Sequence, residues 1–197
     1  MHFRSWMMGA ALILAGCVTP VAAEPNAKFL TEAIQINLAE ISVGQLAQEK
    51  GGSDEAKSFG KMLVDDHTAS NSKATALASS KGVTPPTEPT PDDKNKHDEL
   101  AKLSGGQFDR EFAKAMTEGH EEAISKFEAA SKGDDDIAKF AQETLPTLRK
   151  HLKTAQSLGS NKSAQAESPM APEAAKPESQ MAPSGAAKTE VAPETRR

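Results

Sequence analysis

Apolar positions along the middle of the chain recur at spacings of three and four, the mark of one face of an α-helix. Phe29, Ala33, Ile36, Glu40, Val43 and Ala47 form a first such stripe, stopped by Gly51-Gly52. Ser53 followed by Asp54 and Glu55 then supplies an N-cap and an acidic first turn. The second stripe runs through Ala56, Phe59/Gly60, Leu63, His67, Ser70, Ala74 and Leu77, and ends at Lys81-Gly82. Between Val83 and Pro91 lie four prolines, which forbid a helix and mark an extended connection. A short helix over Asp92–Leu103 is expected next, ended by Gly105-Gly106. A third long stripe follows: Phe108, Phe112/Ala113, Met116, His120, Ala123/Ile124 and Phe127, stopping near Gly133. Asp134, Asp135 and Asp136 place negative charge where a fourth helix dipole favours it. That helix carries Ile137, Phe140/Ala141, Thr144, Leu148, His151, Ala155 and Leu158, with Pro146 expected to bend it. No period-two strand pattern is present. The pattern predicts an all-α protein, a four-helix bundle with two tight hairpins and one long central crossover.

The ends of the chain have a different composition. Residues 1–23 read as an export signal, with Arg4 in a short basic start and then an apolar run from Trp6 to Gly16. That run is roughly half the twenty or so residues a membrane span needs. Cys17 is the sole cysteine, so no intramolecular disulfide can form. Its context, Leu14-Ala15-Gly16-Cys17, resembles the lipobox of bacterial lipoproteins, in which cleavage before the cysteine leaves it acylated. Cleavage after Ala23, at the small residues Val21-Ala22-Ala23, is the competing reading. If Cys17 is acylated, Val18 is not the aspartate that retains lipoproteins in the inner membrane, which favours the outer one. Both readings place the domain, residues 24–158, on the periplasmic side of a bacterial envelope. Residues 159–197, rich in Ala, Pro, Ser, Glu and Lys and poor in large apolar side chains, read as a disordered tether.

Charge narrows the partners. With 23 Lys+Arg against 28 Asp+Glu and few aromatics, the chain has no basic stripe for nucleic acid. The expected partners are a membrane, through the lipid anchor, and an unidentified protein or other envelope component.

Chemistry concentrates in His67, His120 and His151, each on the apolar stripe of a different helix, with Glu40 in the equivalent place on a fourth. A rise of about 1.5 Å per residue puts Glu40 and His67 roughly 15 and 20 Å below the Gly51-Gly52 turn. His120 and His151 lie roughly 20 and 25 Å from the Gly133 turn, so all four are expected near mid-bundle. Three readings stay open. The histidines can be core residues hydrogen-bonded to Asp65, Asp66, Asp109 or Glu143. They can form a pH-responsive core, since imidazole titrates near neutrality. Or His67, His120, His151 and Glu40 can hold a transition metal of the zinc, copper or nickel class, with Asp66 and Asp109 as outer orienters. A di-iron carboxylate centre needs Glu-x-x-His pairs, and Val64, Thr117 and Leu148 stand where those glutamates would be. Nothing pairs a serine or cysteine nucleophile with a base.

Several of these segments together resemble one family. They are Phe29–Ala47 with Glu40, Met62-Leu63-Val64-Asp65-Asp66-His67, Gly106-Gln107-Phe108-Asp109 with Met116 and His120, and Thr144-Leu145-Pro146-Thr147-Leu148 with His151. The family is the bacterial exported one catalogued as domain of unknown function 4142, grouped with ferritin-like bundles. The resemblance spans Ala27–Leu158 and implies a ferritin-like four-helix fold. It carries over no catalytic or ligand residue. Where that family often has a tyrosine this chain has Phe112, and it contains no tyrosine at all. The expectation is therefore an exported, lipid-anchored, ferritin-like binding or envelope-interaction module more than an enzyme, with metal-assisted redox or hydrolytic chemistry as a third reading. Its alternatives are a periplasmic metal-binding protein and a pH- or stress-responsive one.

Overall fold

The computed structural model describes residues 24–166, and side chains over 25–160. The expected export signal, Cys17 and most of the expected tether lie outside it. Five helices follow in order: α1 Glu24–Lys50, α2 Asp54–Ser80, α3 Pro91–Ala101, α4 Gly105–Ala130 and α5 Asp136–Ala166. Among the described residues there is no strand, only an isolated bridge between Gly51 and Gly105. No helix among them is long and apolar enough to cross a membrane.

Helix ends follow the local chemistry. Ser53 caps α2, its hydroxyl accepting from the Ala56 N–H at 3.3 Å. At the other end Gly82 takes φ +75°, the Gly82 N–H reaches the Ser79 carbonyl (3.1 Å) and the Val83 N–H reaches that of Ala78 (2.9 Å). This pair of bonds is a Schellman stop, and the positive φ makes glycine the suitable residue there. Thr90 caps α3, accepting from the Asp93 N–H at 3.1 Å while its hydroxyl donates to Asp93 Oδ2 at 2.6 Å. Pro91 sits at the first helical position, where its missing N–H costs nothing.

Three boundaries differ from expectation. The short helix α3 ends at Ala101, not Leu103, and the Gly105-Gly106 pair opens α4 instead of closing α3. A Cβ on Gly52 would stand 2.6 Å from the carbonyl carbon of Gly105, so the two glycine pairs pack backbone against backbone. Helix α5 runs through Pro146, which lies on its exposed side, and continues past Leu158 to Ala166. The first residues of the expected tether are thus helical.

Contact between Gly52 and Gly105 fixes the topology. Helices α2 and α4 both start at the α1–α2 turn and run away from it, so they are parallel. Helices α1 and α5 return antiparallel to them. Residues 81–104 carry the chain back along the bundle, the connection of ferritin-like folds. Two apolar clusters make the core. One, nearer the Gly51 turn, contains Leu46, Phe59, Leu63, Phe108, Phe112 and Leu158. The other contains Leu30, Ile34, Phe127, Ile137, Phe140 and Leu148. Between them every long helix contributes a buried polar residue: Asn37 and Glu40 from α1, His67 from α2, His120 from α4 and His151 from α5. A polar layer divides the core at the depth the rise per residue predicts.

The expected α1 stripe holds at Ala33, Glu40, Val43 and Ala47, which are buried, whereas Phe29 and Ile36 are only half-buried. Leu30, Ile34 and Asn37, each one residue along from a stripe position, are buried as well, so the buried face is wider than the stripe.

Candidate metal centre

Each histidine reaches the layer for a local reason. His67 follows Leu63 by one turn of α2, His120 follows Met116 on α4, and His151 precedes Ala155 on α5, so the i, i+4 rows that bury the apolar residues bury the rings too. All three are at most 3% exposed. Their rings pack around one point, with centroids 5.3 Å apart for His67–His151 and His120–His151 and 5.9 Å for His67–His120. One ring nitrogen from each lies within 4.8 Å of the other two.

The outer hydrogen bonds fix which nitrogen faces inward. His67 Nδ1 is 2.8 Å from Asn37 Oδ1, His120 Nδ1 is 2.9 Å from the Met116 carbonyl, and His151 Nε2 is 2.8 Å from Asp66 Oδ2. The Met116 carbonyl and the Asp66 carboxylate only accept, so His120 Nδ1 and His151 Nε2 carry the hydrogen, and with Asn37 Oδ1 as the facing atom so does His67 Nδ1. The bare lone pairs are then His67 Nε2, His120 Nε2 and His151 Nδ1. His67 Nε2 is buried with no hydrogen-bond partner among the described residues.

Counting hydrogens sharpens the point. From Met116 through His120 and His151 to Asp66 there are three contacts, the middle one between His120 Nε2 and His151 Nδ1 at 3.3 Å. Two neutral imidazoles hold two hydrogens, and the outer contacts use both. The middle contact then sets lone pair against lone pair, unless a proton or a metal ion lies between them. Two nitrogens bound at about 2.05 Å to a tetrahedral ion stand about 3.3 Å apart. The His120–His151 separation is the one such an ion would require of that pair, and the His67 nitrogen lies within 4.8 Å of both.

Burial disfavours the charged form of two of the three rings. Loss of hydration pushes His67 well below the ordinary imidazole value, and the charges of His120 and His151 push the same way. His151 is lowered too, by burial first, with the Asp66 hydrogen bond opposing. Neutral imidazole is the form that ligates metal.

The other expected residues divide. Asp66, with its side chain 37% exposed, orients His151 as the metal reading requires. Asp109 does not orient a histidine: its carboxylate accepts from the Gly52 N–H at 2.8 Å and the Ser53 hydroxyl at 2.7 Å, clamping the α1–α2 turn. It stands eleven residues, about 16 Å of helix, from His120. Glu40 enters the layer on the outer side of His120, with Oε1 3.9 Å from Nδ1, the nitrogen already committed to Met116. It is not one of the converging donors. Its Oε2 is buried without a hydrogen-bond partner among the described residues. Burial raises its carboxyl above the usual range; His120 opposes this and Asp93 adds to it. His97 sits on α3, half-buried and 3.2 Å from Asp98 Oδ1, away from the layer. Asn37 and the Met116 carbonyl were not legible as partners: Asn37 lies off the stripe of large apolar residues, and a backbone carbonyl has no sequence signal.

Comparison with known proteins agrees with the fold. A crystal structure of a DUF305 fragment from Deinococcus radiodurans superposes with a TM-score of 0.65 at 15% identity, covering 72% of this chain and 99% of that one. No curated protein matches. The family model described as a domain of unknown function, DUF4142, matches residues 16–158, which include the whole polar layer, and the chain belongs to that family.

Proposed function

We propose that the bundle is a metal-holding module, with one transition-metal ion bound by His67 Nε2, His120 Nε2 and His151 Nδ1. The observation that carries this is the set of three buried, inward-facing lone pairs, each on a ring whose other nitrogen donates to a fixed oxygen. Ligating histidines have that arrangement as a rule. Imidazole donors suit zinc, copper and nickel, and three protein ligands leave a coordination position for water or an exogenous group. Asn37, Met116 and Asp66 hold the rings, and no residue of the layer is required to react.

The reading makes the expected interaction module more specific, because what it binds is an ion. The export signal and Cys17 support an envelope location, with the domain anchored by acyl chains on the periplasmic side and the Ala/Pro-rich segment as its tether. A Cys17→Ala variant that still fractionates with membranes would remove the anchor from this proposal.

Metal analysis of untagged protein tests the site. Near-stoichiometric zinc, copper or nickel is expected in the wild type and its loss in the His67/His120/His151 triple alanine variant. Wild-type protein that takes up none of the three ions sinks the reading.

A further inference from the structure

Glu40 has a second surrounding besides His120. Its carboxylate lies at the floor of a cleft of about 300 Å³ between α1, α3 and α4. The charges along that cleft are graded. At the rim Lys126 pairs with both Glu32 (3.3 Å) and Glu122 (3.1 Å). Further along, Asp93 is held by the Thr90 hydroxyl at 2.6 Å, with Lys96 no nearer than 4.0 Å. At the floor Glu40 is only 8% exposed and its Oε2 has no hydrogen-bond partner among the described residues. The deepest of these carboxylates therefore has no paired lysine or arginine among the described residues, which favours a cation drawn inward past the neutralised rim. Glu40 Oε1 stands 3.9 Å from His120 Nδ1, at the outer edge of the ring whose Nε2 faces His151, so a cation leaving Glu40 has to pass that ring edge to reach the three nitrogens.

We infer that this cleft is the access passage for the metal, with Glu40 as the carboxylate that takes a divalent cation from the cleft and hands it to the histidine layer. The inference rests on the metal-holding reading. A buried carboxylate oxygen with no partner is costly, and a passing cation is the partner its position selects. Carboxylate oxygen is a poorer donor than imidazole for zinc-class ions, so transfer from Glu40 to the three nitrogens runs downhill. Gly119 keeps the floor open. A Cβ at that position would stand 3.7 Å from Glu40 Oε1, and a longer side chain there would fill the cleft.

The test is stopped-flow loading of the metal-free domain with Co(II), read by the visible absorption of the nitrogen-ligated ion. Glu40→Gln is expected to slow association by about tenfold or more, with the final spectrum and stoichiometry unchanged. Gly119→Leu is expected to slow association and dissociation by the same factor, leaving Kd where it was. Asp93→Asn, which keeps an oxygen to accept from the Thr90 hydroxyl, is expected to slow association less and to weaken its salt dependence. Loading at wild-type rates in Asp93→Asn and Glu40→Gln overturns the passage while leaving the site intact. A Glu40→Gln variant with unchanged association but weaker equilibrium binding makes Glu40 a ligand instead, which also overturns it. A wild-type domain that binds no Co(II) overturns the site and the passage together.

Discussion

Asp66→Asn isolates what the outer oxygens do. The carboxylate accepts from His151 Nε2 at 2.8 Å and so turns the Nδ1 lone pair toward His120 and His67. Asparagine has the same shape and keeps an acceptor oxygen, but it loses the charge that makes His151 a stronger donor to an ion. Replacing such an outer carboxylate costs about 10–100-fold in metal affinity, or about 1.4–2.7 kcal/mol. Without metal the loss is expected to be small. Asp66 is over a third exposed, and a wet pair of this kind contributes at most about 1 kcal/mol. The two readouts therefore separate. Competition against a chromophoric chelator should show weaker zinc or Co(II) binding, while urea unfolding of chelator-treated protein should show nearly unchanged stability. Asp65→Asn is the control: it removes the neighbouring carboxylate, which pairs with Lys61 at 2.6 Å on the exposed side of α2, and should change neither readout. Metal affinity within twofold of wild type in Asp66→Asn would refute the reasoning. An equal stability loss with and without metal would refute it too, since Asp66 would then be serving the fold alone.

Stability of the metal-free domain should fall in mild acid. His67 is held below its ordinary value, so between its folded and unfolded pKa the unfolded chain binds more protons. Its contribution is complete above about pH 6.5 and is lost below it, at about 1.4 kcal/mol per pH unit. His151 acts in the same direction, whereas Glu40, raised by burial, contributes stability that is lost as pH rises through its folded pKa. Urea unfolding from pH 8 to pH 5 should show the acid slope, and His67→Leu should reduce it; identical slopes would mean that His67 is not neutral in the fold. Asp109→Ala removes the acceptor of the Gly52 N–H and the Ser53 hydroxyl at a fully buried position, and should cost about 2–4 kcal/mol, read as a lower urea midpoint at constant m. A loss under 1 kcal/mol would show the turn to be held by its glycine packing. Gly60→Ala and Gly119→Ala should have opposite effects on thermal stability. At position 60 the new Cβ meets the Gly44 carbonyl at 2.6 Å and Ala47 Cβ at 2.7 Å, so α1 and α2 must part, at about 1–3 kcal/mol, more than offsetting the helix gain. At position 119 the nearest atom is 3.7 Å away and the gain of up to about 1 kcal/mol remains.

The fold was legible because each helix carries its own stop and start. Gly51-Gly52 with Ser53, Lys81-Gly82 and the acidic run before Ile137 each mark an end by local chemistry that tertiary packing had no reason to override. The glycine pair Gly105-Gly106 was harder, because glycine both ends helices and permits close backbone approach. Here the second use dominates: Gly105 lies against Gly52, a contact between segments more than fifty residues apart that no local window contains. The run of α5 to Ala166 was missed for a related reason. Tail composition argued against a core, and these last turns need none, since they propagate from a helix already nucleated by the bundle.

The site was legible to the level of residues but not of atoms. Periodicity brought His67, His120 and His151 to one layer because face and depth both follow from counting along a helix. The same count brought Glu40 to that layer and made it look like a fourth donor. What it could not give is the side of a ring. His120 presents Nε2 to the other histidines because its Nδ1 is tied to the carbonyl of Met116, one turn back on the same helix, and that bond turns Glu40 to the outside. A backbone acceptor four residues back is available to every residue of a helix, so its use by one side chain leaves no sequence trace. The step from a polar layer to a metal centre therefore rests on three hydrogen bonds to outer oxygens. Of these, only the one to Asp66 could be anticipated from the chain.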